Sequence, residues 1–233
     1  MGYNPGYLNL SVSFMPLNPA SKDVKFYPRG EELLNIFSHA FGLLLGCVGL
    51  VLLIVRALTD GTVWHVVSFT VFGISLIMLY GASTIYHTTQ TPERRIRWRV
   101  VDHAAIYILI AGTYTPFMLT TLRGQLGWTL FGVTWGMAAV GITLKLFFTG
   151  RFTVVSTLMY VAMGWLIIFA IKPLAAALPE AGIYWLIVGG ISYTVGAILY
   201  AIKSIPYNHA IFHFFVLFGS FSHFMAVYGY IIH

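Results

Sequence analysis

Charge is what this chain of 233 residues has least of. Only 9% of its residues are Asp, Glu, Lys or Arg, against about 25% in an ordinary soluble domain. A larger core cannot absorb the deficit, because a chain of this size still has a surface to cover. Water is therefore excluded as the solvent for much of the chain, and lipid takes its place. Acid is scarcer than base, and the net charge is +6. The basic residues sit in short loops between apolar runs, so the excess reads as membrane orientation, and no nucleic-acid partner is expected. Cysteine is nearly absent. Cys47 alone excludes an intrachain disulfide, and its place in an apolar run predicts a small packing residue. The first 30 residues lack the basic start, apolar centre and small-residue cleavage site of a secretory signal. Gly6 stands where a myristoylation motif needs Ser or Thr. That stretch is rich in Asn, Pro, Gly and Ser, so residues 1–30 are expected to form a loosely ordered tail before a membrane domain over 31–233.

Apolar residues are what the chain has in quantity, at 58%. They form runs at roughly 35–56, 63–87, 100–121, 127–148, 153–172, 182–202 and 208–231. Each is near the length of about 20 residues that crosses a bilayer as a helix. Backbone groups in hydrocarbon must find internal partners, so the runs should be helices, and barrel-type strands of about 10 alternating residues are not seen. The predicted fold class is all-α: a polytopic bundle of seven transmembrane helices. Lys22, Lys25, Arg29, Arg94, Arg95, Arg97, Arg99, Lys145, Arg151 and Lys203 fall on the side of the N-terminus, against Arg56, Arg123 and Lys172 on the other. That asymmetry predicts a cytoplasmic N-terminus, and seven spans then put the C-terminus outside. Gly42 with Gly46, and Gly132 with Gly136, have the spacing of close helix packing. Pro116 should kink or loosen the third helix.

An ionisable residue inside a membrane is costly and calls for an account. Asp102 is the one acid well placed within a run, and His39, His87, His103, His209, His213 and His223 fall within runs or at their ends. The second helix ends at His87 on the N-terminal side. The third begins there with Asp102, the seventh begins there with His209 and His213, and the first begins there with Glu32, Asn35 and His39. His209 and His213, at i and i+4, share one helix face about 6 Å apart along the axis, so both can bind one ion. With His87 as a third nitrogen and a water, they make an open tetrahedral zinc site. Ser83 lies one turn before His87 and can hold a ligand or the water. Asp102 can orient or deprotonate that water, or hold a histidine. The Glu32, Asn35 and His39 stripe reads as bracing or capping, and His103 as a structural bond. His223 is about 21 Å deeper than His209 and suits a helix-to-helix hydrogen bond. The run from Arg94 to Arg99 reads as an anchor to anionic lipid.

These motifs resemble the hemolysin III family and the related progestin and adiponectin receptors. The resemblance lies in Glu32-Leu33-Leu34-Asn35-Ile36-Phe37-Ser38-His39, Ser83-Thr84-Ile85-Tyr86-His87, Asp102-His103 with Gly112-Thr113-Tyr114-Thr115-Pro116, Ile205-Pro206-Tyr207-Asn208-His209-Ala210-Ile211-Phe212-His213, and Ser222-His223. The short tail and loops look like a bacterial member. The resemblance implies a seven-helix bundle in the cell's inner membrane, with Zn2+ held by His87, His209 and His213 and Asp102 beside it. It also implies partners among membrane lipids and a part in membrane homeostasis. Related receptors are linked to ceramide hydrolysis.

Three functions are open on the sequence. One is a zinc-dependent hydrolase of a lipid amide or ester, with Asp102 as base and Ser83 at the oxyanion. Another is a receptor-like sensor of membrane state whose zinc only ties helices together. The last is a cytolytic hemolysin, against which the sequence argues, because a self-inserting pore needs a soluble form and a polar stripe through the bilayer.

Overall fold

A computed structural model describes residues 24–148 and 153–232. Among these residues there are no strands. Eight α-helices are α1 (Arg29–Asp60), α2 (Val63–Thr88), α3 (Pro92–Pro116), α4 (Gln125–Phe148), α5 (Thr153–Gly164), α6 (Ile171–Ala177), α7 (Glu180–Ala201) and α8 (Asn208–Tyr230). A π-turn over Phe117–Thr121 prolongs α3, and a 3-10 turn over Leu166–Ala170 joins α5 to α6. The result is seven helices long and apolar enough to cross a membrane.

The outer surface is apolar, with Phe37, Leu58 and Phe169 among many large side chains facing outward. Such a surface suits hydrocarbon and would be untenable in water. The inner stripe of α1 runs Glu32, Asn35, Ser38, His39, Gly42, Gly46, Gly49, which is polar and small at helical spacing. Lipid offers no hydrophobic drive between helices, so they meet through small residues and polar contacts. Gly42 shows why. A Cβ there would fall 2.7 Å from Tyr80 and from Leu217, so its absence lets α1 settle between α2 and α8. α1 packs on α2 and α8, α2 on α3, α3 on α4, and α7 on α8.

The two irregular turns have local causes. Pro116 has no N–H to donate, and the ladder resumes with a wider turn in which Leu122 donates to the Phe117 carbonyl at 2.8 Å. In the fifth span the Tyr114 hydroxyl donates to the Gly164 carbonyl at 2.7 Å and accepts from Ile167 N–H at 3.2 Å. Those bonds satisfy backbone groups freed by the 3-10 turn, as a bilayer requires.

Several expectations need correction. α1 and α3 each begin about two turns before their apolar runs, so Arg95 lies on a helix and is buried, as are Glu31 and the expected Glu32 on α1. Arg95 is therefore not a lipid anchor, whereas Arg94 and Arg97 are exposed. Cys47 faces outward and packs nothing inside. Gly132 and Gly136 have open space where a Cβ would stand, so that pair is no packing seam, unlike Gly42 and Gly46. Of the tail, only residues from Val24 onward are described, and Val24–Pro28 form an irregular segment whose Lys25 carbonyl accepts from Arg95 before α1 begins.

Candidate metal centre

Two helix ends bring three histidines together. α2 carries His87 in its last turn, and α8 carries His209 and His213 in its first two. The approach to α8 is set by a tight turn. Tyr207 takes φ 57°, a left-handed conformation rare for a side chain of its size. Asn208 then donates from Nδ2 to the carbonyls of Tyr200 at 2.8 Å and Ile202 at 3.2 Å, capping the end of α7. The backbone N–H of His209 donates to Glu31 Oε1 at 3.2 Å, so a carboxylate from α1 sits at the positive end of α8.

His209 Nε2 stands 3.1 Å from His87 Nε2 and 3.1 Å from His213 Nε2, and all three atoms lie within 4.8 Å of one another. All three side chains are buried. Their surroundings fix two tautomers. Ser38 Oγ lies 3.1 Å from the Asn35 carbonyl and 3.2 Å from His213 Nδ1; with its one proton given to the carbonyl, it accepts from Nδ1. His87 Nδ1 lies 3.3 Å from Glu32 Oε2 and must donate to that carboxylate. A neutral imidazole has one N–H, so both rings are left with a lone pair at Nε2, aimed at His209. Converging lone pairs in a buried site repel each other unless a proton on His209 Nε2 or a cation lies between them. The three histidines can therefore hold a metal ion.

Other side chains close the site. Tyr27 stacks on His209 with ring centroids 4.6 Å apart, and His39 on His213 at 3.5 Å. Tyr27 lies before the first span, and burial holds its phenol above the usual range. Arg95 is 1% exposed and pairs with Glu32. Asp102 is buried and near enough to interact electrostatically with His87 and His213. Its Oδ2 lies 3.3 Å from His103 Nδ1, without hydrogen-bond alignment. Ser83 Oγ is buried one turn before His87 and has no protein partner. His223 bonds within its own helix, at 2.8 Å from the Gly219 carbonyl, and stacks on Tyr193 of α7.

Ser38, Glu31, Tyr27 and Arg95 escaped the sequence reading. A signal for Arg95 existed: Thr91-Pro92-Glu93 is a helix start, with Pro at the first helical position. Arg95 then falls two turns before Asp102 on the same face.

A family described as "Haemolysin-III related" matches residues 27–224 of the chain. "Hemolysin-3 homolog" of Bacillus subtilis (strain 168) is 48% identical over 202 residues, covering 87% of this chain and 95% of that protein. "Hemolysin-3" of Bacillus cereus is also 48% identical over 202 residues, covering 87% and 92%. More distant is "Monocyte to macrophage differentiation factor" of Homo sapiens, 27% identical over 208 residues, covering 86% and 84%. No solved structure matches the chain. Seven spans, a buried cluster of three histidines and these likenesses agree: the chain belongs to the haemolysin III family, within the wider progestin and adiponectin receptor group, and is a multi-pass protein of the cell membrane.

Proposed function

We propose that His87, His209 and His213 bind zinc and that the protein hydrolyses a lipid amide or ester inside the membrane. The carrying observation is the convergence of three Nε2 atoms, two of them with their lone pairs set by Glu32 and Ser38. Nitrogens on a tetrahedral zinc at about 2.0–2.1 Å stand about 3.3–3.4 Å apart. The 3.1 Å spacings from His209 are within a few tenths of an ångström of that, so the residues fit the ion.

Zinc in such a site supplies Lewis acidity, polarising a carbonyl and making water acidic enough to attack near pH 7. The protein's own groups then divide the work. The Asp102 carboxylate takes a proton from the attacking water as its oxygen bonds to the carbonyl carbon. The Ser83 hydroxyl, buried and unpartnered, donates a hydrogen bond to the carbonyl oxygen as charge builds there. As the C–N or C–O bond breaks, Asp102 returns the proton to the departing nitrogen or oxygen. A groove of about 410 Å³ between α2 and α3, lined by Ile77, Gly81, Ala82, Val101, Ala104 and Ala105, is apolar, which suits an acyl chain lying beside the bundle. The basic side of the bundle is assigned to the cytoplasm, and the activity to upkeep of the bilayer's lipids.

A second reading makes the metal a clasp for a receptor-like sensor. Its supporting observation is how closed the site is: the histidines are buried, Tyr27 covers His209, and α1, α2 and α8 are all tied to it. Asp102→Asn separates the two. Under the hydrolase reading the variant keeps normal zinc content and loses lipid turnover, measured on a panel of amide- and ester-linked lipids. Full turnover by the variant would sink the role given to Asp102, and no turnover by wild type on any lipid of the panel would leave the clasp.

A further inference from the structure

Among the described residues, Arg95 has an unusually heavily used polar side chain. Its Nε donates to the Lys25 carbonyl at 3.0 Å. Nη1 meets the carbonyls of Tyr86, His87 and Thr89 at 3.3, 3.2 and 3.0 Å, and Nη2 pairs with Glu32 Oε1. The guanidinium is sandwiched between the rings of Phe26 and Tyr86, 4.5 and 4.7 Å from their centroids. One residue thus grips the last turn of α2, the segment before α1 and the carboxylate that touches His87. Stability alone is a poor account of it, because a buried ion pair often does no better than apolar residues of the same size.

We infer that Glu32 and Arg95 are a coupled pair of positioning residues that hold His87 in its metal-binding form. The inference rests on the reading of the three histidines as metal ligands. Arg95 engages Oε1 and so leaves Oε2 to accept the Nδ1–H of His87, which keeps the lone pair on Nε2. The same guanidinium fixes the His87 carbonyl, so ring and backbone are held from one centre. Replacing Glu32 with Gln breaks this logic without changing size. If the amide oxygen faces His87, its NH2 opposes the Arg95 donors. If it turns its oxygen to Arg95, its NH2 opposes Nδ1, and the imidazole proton moves to Nε2 where the metal must bind.

The test is titration of metal-stripped full-length protein in detergent with Co2+ against a competing chelator, recording affinity and visible d–d bands. Wild type, Glu32→Gln, Arg95→Met, Arg95→Lys and the double variant Glu32→Gln with Arg95→Met are compared. Each single change should weaken Co2+ binding by about 10–100-fold, the usual effect of losing a partner that orients a metal-binding histidine. Lys should behave as Met does, because a single ammonium cannot reproduce the fork. The double variant should lose no more than the worse single, since the two residues form one linked group that sets the position of the His87 ring. In Glu32→Gln the bands should also shift, which a general loss of stability would not produce. Wild-type affinity and bands in Glu32→Gln, or losses that add in the double variant, overturn the inference. If Arg95→Met yields no folded protein, the near-isosteric Glu32→Gln decides alone. Failure of wild type itself to bind Co2+ would remove the metal reading underneath, a result distinct from a silent Glu32→Gln.

Discussion

His209 is the centre of the histidine cluster, because its Nε2 alone stands at 3.1 Å from both of the others. Substituting Ala there should therefore abolish metal-linked stabilisation rather than merely weaken it. A ligand that binds only the folded state adds about 2.7 kcal/mol at a free concentration 100 times its Kd. For a chain of this size each kcal/mol moves the thermal midpoint by about 2–4 °C, so wild type should gain about 5–11 °C on adding zinc. His209→Ala should gain nothing, since His87 and His213 then lack the nitrogen that lies between them. Its metal-free midpoint should also fall, because the Tyr27 ring loses the surface on which it stacks at 4.6 Å. The assay is thermal unfolding in detergent of chelator-treated protein, with and without zinc. An equal zinc-induced rise in both proteins would refute the reasoning, as would no rise in wild type.

The packing makes an opposite pair of glycine predictions. Gly42→Ala should lower the thermal midpoint, because the new methyl meets Tyr80 and Leu217 at under 3 Å, while Gly132→Ala should leave it unchanged or raise it, since nothing stands within 4 Å and Ala favours a helix by about 1 kcal/mol. Equal effects would mean that the α1 interface is misplaced. For orientation, Gln90→Cys in a Cys47→Ser background puts one exposed thiol in the short α2–α3 connection. It should react with an impermeant maleimide only after the cells are opened, and labelling of intact cells would reverse the assigned topology.

The seven spans were legible because hydrocarbon imposes one requirement, a long apolar helix, on every crossing. Which face of each helix turns inward was much less legible. In lipid both faces can be apolar, so Gly42 and Gly132 look alike in sequence, though one is clamped by Tyr80 and the other faces open space. The outward face of Cys47 was hidden for the same reason. Histidine, Ser and Asp stand out against such a background, and the i, i+4 spacing of His209 and His213 narrowed the geometry further. Glu32 stands out as part of a stripe, but its bond to His87 joins residues 55 positions apart and leaves no local trace. Arg95 was hidden by its neighbours Arg94, Arg97 and Arg99, which made an inward-facing guanidinium look like one of a basic row.

The span of chain that the site draws together bears on how the protein is made. Glu31 on α1 meets the backbone of His209 across 178 residues, and His87 meets His209 across 122. Translation at about 5–20 residues per second needs about 9–36 s to cover the first interval. Throughout that time Glu31, Ser38 and His39 are already at the membrane without α8, whose His209 backbone and His213 ring they meet in the finished fold. The polar inner stripe of α1 is thus completed in two stages: Glu32 is met early by His87 and Arg95, and the rest waits for the last span. A nascent chain that stalls before its last span lacks the contacts α8 supplies to Glu31, Ser38 and His39, so its first helix should sit less firmly in the bilayer than in the finished fold.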